Sequence, residues 1–330
     1  MAVIDAWTSQ ADFYTVGTNA ANTTAAQIAP YALEGFTISS VSSFARVTFP
    51  AAASIWCQFY YYPGTVTAGT TGLTFWQLKD TEAGTPLFRL RQSAAVTGSI
   101  VLEYWNGSAW TSGGASSAVM AATTRYKFDV KLIMDNSVGE YLFYINDALI
   151  LSYSGDTVFT AATTVTTLEL MSPSNTGTNN FSFSGVIIAS EDTRAMVFHQ
   201  AQATAAGANT AWTGTYTDVT ELGRDDGDLI ESGSANQVET YVMDNVNAAL
   251  SEYSVRAVVL GVRSRKGTTG PQNMQGAVRQ SGTDFFTSNV SGLSPAYSSH
   301  NFVLTTNPAT SAEWTIAEID ADEFGLKSIT

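Results

Sequence analysis

Cysteine is almost missing from this 330-residue chain: Cys57 stands alone, so no intrachain disulfide can form. It sits in the uncharged aromatic run Ser54-Ile55-Trp56-Cys57-Gln58-Phe59-Tyr60, which reads as the place of a small buried hydrophobe rather than a reactive thiol. Histidine is nearly as scarce, with only His199 and His300. No third ligand stands at metal-site spacing from either, and no Gly-x-Ser-x-Gly elbow or phosphate-cradling glycine loop accompanies them, so no catalytic residue, metal or cofactor is assigned. Charge is thin, at 13% of residues, and positive charge is thinner: 15 Lys and Arg face 29 Asp and Glu, for a formal charge of −14. A nucleic-acid partner is thereby excluded, because phosphate contacts need a basic surface. The acidity favours solubility and mutual repulsion of free subunits. No uninterrupted apolar run reaches a membrane span. The start, Met1-Ala2-Val3-Ile4-Asp5-Ala6, lacks the basic and apolar regions of a secretory signal, so synthesis in a cytoplasm is expected.

What is abundant is small, polar and β-branched. Few charges with much Thr, Ser, Ala and Gly suit a β-rich chain. Residues 1–192 read as one unit of short strands divided by turn residues, the pattern of a sandwich. Tyr126, Phe128, Val130 and Leu132 alternate with Lys127, Asp129 and Lys131, so the first set is expected inward and the second in water. Phe88 and Leu90 share one face of their strand, Arg89 and Arg91 the other. Asn106-Gly107 after Ile100–Trp105 predicts a type I′ hairpin. Residues 193–210 turn small, uncharged and low in complexity, as a linker or strap would be. Residues 211–330 read as a second, smaller β domain. Strands are expected at Trp212–Val219, Val238–Met243, Tyr253–Arg263, Met274–Gln280 and Ser298–Thr305, with Ser254–Arg263 dense enough for a central strand.

The run Arg125–Val130, the turn Asn136–Gly139 and the segment Tyr141–Asp147 resemble the core hairpin of laminin-G or concanavalin-like jelly rolls, with Asp147 where those domains carry Gly. The resemblance spans roughly the first 190 residues and implies fold more than function, since such domains include lectins, enzymes and scaffolds. In the second half, Ala211–Val219, Val255–Val258, Arg263–Lys266, Arg279–Asp284 and Thr306–Ile319, ending Gly325-Leu326-Lys327, resemble a domain of structural proteins of tailed bacteriophages. That resemblance implies a virion component, synthesised in the host cytoplasm, with other virion proteins as partners. Fibres, spikes and capsid decorations are typically homo-oligomers, trimers among them.

The segment Glu313–Gly325 has two readings. Glu318-x-Asp320-x-x-Glu323 resembles the signature of retaining β-glucanases, which lies on one strand of a jelly roll. Retention needs two carboxyls about 5–5.5 Å apart. Against it, Asp322 would add a fourth carboxylate, the motif stands at the end of this sequence, and local signals are helical. Thr315 and Glu318 form a capping box, acidic residues crowd the first turns, Ile316 and Ile319 share a face, and Gly325 is placed as a left-handed C-terminal cap. The helical reading is the one adopted.

Other candidates carry plain alternatives. Asp225-Asp226-Gly227-Asp228-Leu229-Ile230-Glu231 has oxygens for calcium but no EF-hand pattern, and also reads as a solvated loop. Asp135-Asn136 and Asn146-Asp147 fit a calcium site or two turns. Trp105 and Trp110, with Tyr104, flank the Asn106-Gly107 turn and either stack on sugar rings or form a cross-strand pair that steadies the hairpin. Arg263, Arg265 and Lys266 form a basic cluster suited to an acidic neighbour or to solvent. The expected protein is therefore all-β: an N-terminal jelly-roll sandwich (1–192), a linker (193–210) and a smaller C-terminal β-sandwich with a short terminal helix (211–330). Its expected role is a non-enzymatic component of a tailed phage particle, as a capsid decoration, head fibre or tail component. The alternative is a virion module that binds host-surface glycan; a glycosidase using Glu318, Asp320 and Glu323 comes third.

Overall fold

The computed structural model describes residues 3–7, 12–16, 19–39, 43–66, 73–158, 160–172, 181–220 and 226–330. The chain divides into two compact units, Val3–Phe198 and His199–Thr330. It is almost wholly β, and among the described residues every strand pair is antiparallel.

The first unit's strands are β1 (Val3–Trp7), β2 (Tyr14–Val16), β3 (Asn19–Asn22), β4 (Gly35–Ile38), β5 (Phe44–Ala52), β6 (Ser54–Pro63), β7 (Leu73–Lys79), β8 (Pro86–Gln92), β9 (Ser99–Trp105), β10 (Trp110–Ala118), β11 (Tyr126–Ile133), β12 (Gly139–Ile145), β13 (Ala148–Gly155), β14 (Val165–Met171) and β15 (Phe181–Ala189). They form an eight-stranded sheet, β13-β12-β11-β6-β15-β4-β3 with β1 also on β15, and a seven-stranded sheet, β10-β9-β8-β7-β14-β5-β2. The inward residues of both sheets make one continuous core. Alternation brings Tyr61 of β6 and Phe128 of β11 onto Phe75 of β7 across the gap, and a break in register between Thr74 and Trp76 turns Trp76 inward as well, against Tyr141 of β12. Tyr61 stacks on Phe75 at 4.8 Å and 13°, and lies 5.4 Å from Phe128 and 5.2 Å from Phe183.

One turn differs from expectation. The β9–β10 loop spans Asn106–Ala109, with Asn106 N–H donating to Ala109 O at 3.1 Å. A type I′ turn needs positive φ at both central residues, and of this pair only Gly107 has it, at 92°. Asn106 Oδ1 instead accepts from Ser108 N (3.0 Å) and Ala109 N (2.8 Å), an Asx turn. The two-residue hairpin is at Asn146-Asp147, where φ is 48° and 68° and Ile145 pairs with Ala148.

The outward face of β11 also departs from the alternation reading. Asp129 is fully buried. Residues 192–196 lie over it: Thr193 Oγ1 donates to Asp129 Oδ1 at 2.7 Å, Lys127 Nζ donates to the Arg194 carbonyl, and the Arg194 guanidinium covers Tyr144 at 4.5 Å. With its amide turned to satisfy both ends, Gln58 donates to the carbonyls of Thr193 (2.6 Å) and Met196 (3.1 Å).

The second unit holds β16 (Ala203–Thr210), β17 (Val238–Met243), β18 (Val258–Ser264), β19 (Asn273–Gln280), β20 (Thr283–Phe286), β21 (Ser298–Leu304), helix α1 (Ile316–Ala321) and β22 (Glu323–Ile329). Five strands form a sheet ordered β16-β17-β22-β19-β20, and β18 pairs with β21 in a two-stranded ribbon. Phe302, Leu260 and Val262 of the ribbon pack on Met274 and Leu326 of the sheet. Three sequence readings are corrected here. The low-complexity stretch within 193–210 is in large part an edge strand, β16, because its backbone finds a ladder partner in β17. Tyr216–Val219 is a 3-10 turn rather than a strand, with Thr213 bridging to Glu231 alone. The dense apolar run ends in β18, which among the described residues has a single neighbour, β21, and is not central.

Helix α1 has the expected capping box: Thr315 Oγ1 accepts from Glu318 N at 3.2 Å, and Glu318 Oε2 accepts from Thr315 N at 2.8 Å. Gly325 does not cap it. The helix ends at Asp322 in extended conformation, and the chain turns directly into β22, the middle strand of the five. Glycine is required at 325 for another reason. A Cβ there would fall 1.9 Å from the Glu239 carbonyl oxygen of the adjacent strand.

Candidate functional site

The outer face of the seven-stranded sheet carries a polar row, built by cross-strand register. Arg46 of β5 stands opposite Glu169 of β14, Glu169 opposite Gln77 of β7, Gln77 opposite Arg89 of β8, Arg89 opposite Glu103 of β9, and Glu103 opposite Ser112 of β10. Glu169 is pinned by Arg46 Nε at 2.7 Å, by Lys79 Nζ at 3.3 Å and by the Gln77 amide. Glu103 is held by Arg89 Nε at 2.6 Å and Arg91 Nε at 2.8 Å. Arg46 also reaches Glu82 at 2.7 Å. Four cations thus face three carboxylates. The two central carboxylates are buried, which is tolerable only because each is surrounded by donors.

The row ends beside Trp105 and Trp110. Trp105 pairs directly with Trp110 across the β9–β10 hairpin, and both are half-buried. Their rings meet edge-on at 5.7 Å and 69°, a cross-strand aromatic pair. The Arg89 guanidinium lies 3.9 Å from the Trp110 ring centre, within cation–π range. β10 is the last strand of its sheet, so this aromatic and cationic group stands at a sheet edge. Tyr104 points to the other face, 4.9 Å from Tyr153.

The other candidates have structural occupations. Glu318 is spent on its cap, which holds its carboxyl below the usual range. Asp320 Oδ1 accepts from Val246 N at 2.7 Å. Glu323 Oε2 accepts from Thr240 Oγ1 (2.6 Å) and Ala208 N (2.8 Å). Two of the three lie on α1 and the third on β22, so the single-strand arrangement of the β-glucanase motif is not formed. Asp322 is buried, which pushes its carboxyl up to about 6, and it accepts from Gln280 at 3.0 Å.

Asp225 lies outside the described residues. Asp226 makes a bidentate pair with Arg263 (2.6 and 2.9 Å), so part of the acidic stretch meets the basic cluster within the chain. Lys266 donates to the Gly270 carbonyl, and Arg265 lies over Tyr297. Asp135 Oδ1 accepts from Ser137 N and Val138 N as a turn former, while Asp147 pairs with Lys127 at 2.6 Å. Among the described residues no three His, Cys, Asp or Glu side chains group as metal ligands. Burial pushes the Cys57 thiol up to about 12, leaving it unreactive. His300 shares a 2.9 Å hydrogen bond with Ser298, and burial lowers its pKa.

The sequence marks the tryptophans and the shared face of Arg89 and Arg91 but does not join them. The joining depends on β8, β9 and β10 being neighbours, which the hairpin turns hint at. The extension through Gln77, Glu169 and Arg46 joins residues far apart in the chain, and no local signal marks it.

No protein-family model matches this sequence, and no curated protein does. Among solved structures, a calreticulin globular domain from T. cruzi is similar over 58% of this chain and 89% of its own, at 8% identity and a TM-score of 0.43. The cellulose-induced protein Cip1 is similar over 55% of this chain and 93% of its own, at 14% identity and a TM-score of 0.42. A botulinum neurotoxin serotype D ligand-binding domain, solved with N-acetylneuraminic acid, is similar over 55% of this chain and 43% of its own, at 13% identity and a TM-score of 0.38. Similarity at this level carries no activity from those proteins to this one; the sandwich architecture rests on the strand pairing.

Proposed function

We propose that this protein is a non-enzymatic component of a tailed phage particle whose first unit binds host-surface glycan. The observation that carries the binding role is the aromatic group at the sheet edge. Trp105 and Trp110 are partly exposed on the outer face, steadied by each other and by Arg89. Sugar rings present apolar C–H faces that stack on such aromatic surfaces, while neighbouring polar side chains fix their hydroxyls. An enzymatic role is disfavoured because Glu318, Asp320 and Glu323 are each committed to hydrogen bonds of the fold. The setting in a virion, as capsid decoration, head fibre or tail component, follows from the resemblance of 211–330 to phage structural proteins. A homo-oligomer, such as a trimer, bound to other virion proteins fits that setting.

The binding role is tested on a glycan array with the full chain and Trp110→Ala. Retained binding by the variant, or none by the parent, removes the role. The virion setting is tested by quantitative mass spectrometry of purified particles of the encoding phage. A handful of copies in multiples of three or six fits a fibre or tail tip, and hundreds fit a capsid decoration. Absence from the particle ends the virion reading.

A further inference from the structure

Arg89 and Arg91 stand two apart on β8, on the same outer face as the tryptophans, and share one carboxylate, Glu103. Two guanidinium charges against one carboxylate leave an excess of one positive charge here, in a chain whose formal charge is −14. Both arginines approach Glu103 through Nε. A guanidinium engaged at Nε keeps its two Nη groups, the fork that matches a carboxylate or sulfate. Arg91 Nε is within ion-pair distance at 2.8 Å but is not aligned for a hydrogen bond, so its buried N–H is left without a geometric partner. The carboxylate lies deeper than its cations: the Glu103 side chain is 8% exposed, against 23% for Arg89 and 21% for Arg91. A ligand lying on this face therefore meets the guanidinium groups before the carboxylate. Stacking on Trp110 fixes the plane of Arg89, so the fork is pre-oriented beside the aromatic surface.

We propose that Arg89 and Arg91 make this edge selective for glycans bearing an anionic group, a ring carboxylate or a sulfate, over neutral ones. The inference rests on the glycan-binding reading and names its ligand class. Trp105 and Trp110 take the sugar face, while Arg91, and Arg89 beyond its bond to Glu103, take the anion. Trp110 supplies affinity for any sugar; Arg91 supplies the discrimination.

The test is calorimetric titration of the full chain with length-matched probes: oligogalacturonate, its neutral methyl ester, dextran sulfate and dextran. Acidic probes are expected to bind at least about ten-fold more tightly than their neutral partners at low salt. The gap should narrow as salt rises through about 0.15 M and beyond. Arg91→Gln should close it while leaving neutral binding in place, and Trp110→Ala should weaken both. Arg91→Lys, which keeps the charge and loses the fork, should narrow the gap in part; it also serves should Arg91→Gln fail to fold. Preference for oligogalacturonate alone or dextran sulfate alone assigns the anion, and each supports the proposal. Equal binding of acidic and neutral probes overturns it and leaves the glycan reading standing, as does a gap that neither arginine variant narrows. No binding of any probe overturns both.

Discussion

The two units solve the problem of holding β-sheets together by different means. In the first, aromatic rings from both sheets interlock about Tyr61, so one contiguous apolar core carries the unit. In the second, the apolar clusters among the described residues are small, as with Met274, Phe302 and Leu326, and Val278, Trp314 and Phe324. Polar side chains fill the rest: Thr240, Glu239, Asn307, Asp322 and Ser328 are all buried. They are tied to backbone and side-chain partners, as where Glu239 accepts from Trp212 N at 2.9 Å and Ser328 Oγ donates to the Ser234 carbonyl at 2.7 Å. Apolar burial tolerates imperfect geometry and scales with area, whereas a buried hydrogen bond fails when one partner is lost. The first unit should thus respond to lost volume and the second to lost polar partners and to backbone crowding.

Calorimetry of the intact chain can break or sharpen this contrast. The largest effect is expected from Phe128→Ala, which empties the centre of the aromatic core. Loss of about 3–5 kcal/mol is expected in the transition of the first unit. A comparable shift in the second unit's transition would show that the two cores are not independent.

Asp129→Asn comes next, with the opposite sign. Burial raises the Asp129 carboxyl to about 6, opposed by Thr193 and Lys127 and aided by Asp147 and Asp192. A carboxyl whose folded pKa lies above its unfolded one loses stability as pH rises from about 4 to about 6, because the unfolded chain ionises first. At pH 7 the Asn variant is expected to be more stable by up to about 3 kcal/mol, with the difference vanishing below pH 4. Denaturant melts across that range check it; a difference that persists at pH 3.5 would reject the ionisation account. Asp322, also raised to about 6, contributes the same slope to both proteins and so cancels in the comparison.

Gly325→Ala probes backbone crowding in the second unit. Its methyl would drive apart β22 and β17 where they meet at Glu239, costing about 1–3 kcal/mol. Only the second transition should fall. Smallest is Thr315→Ala, which removes the α1 cap for about 1 kcal/mol. Glu318→Gln should cost no more than that and, on the non-enzymatic reading, should abolish no sugar hydrolysis in the parent protein.

Where the chain alternates cleanly, at Tyr126–Leu132, the strand was legible with bounds near those of β11. Its apolar inward face was legible too, because a period of two is imposed locally by the pleat. Strand β10, rich in Ser, Gly and Ala, carries no such alternation and takes its place from its hairpin with β9. Asp129 follows the pattern of an outward residue yet is buried, because residues more than sixty positions later fold over it. Gly325 reads as a helix cap from its neighbours, and only the approach of β17 shows what its missing side chain is for. The candidate site divides in the same way. Trp105 and Trp110 were visible as a pair flanking a turn, but the charged row they join was not.

The amino-acid sequence by itself determined the β character of this protein, its acidity, the inert surroundings of its one cysteine and the capped helix near Thr315. Each of these depends on composition or on residues within a few positions of one another. The order of strands in the sheets, the burial of Asp129 and the gathering of Arg46, Glu169, Arg89, Arg91 and Trp110 on one face were decided only by tertiary structure. Antiparallel pairing sets opposite one another residues that the chain separates, and only there do their charges and rings act on each other.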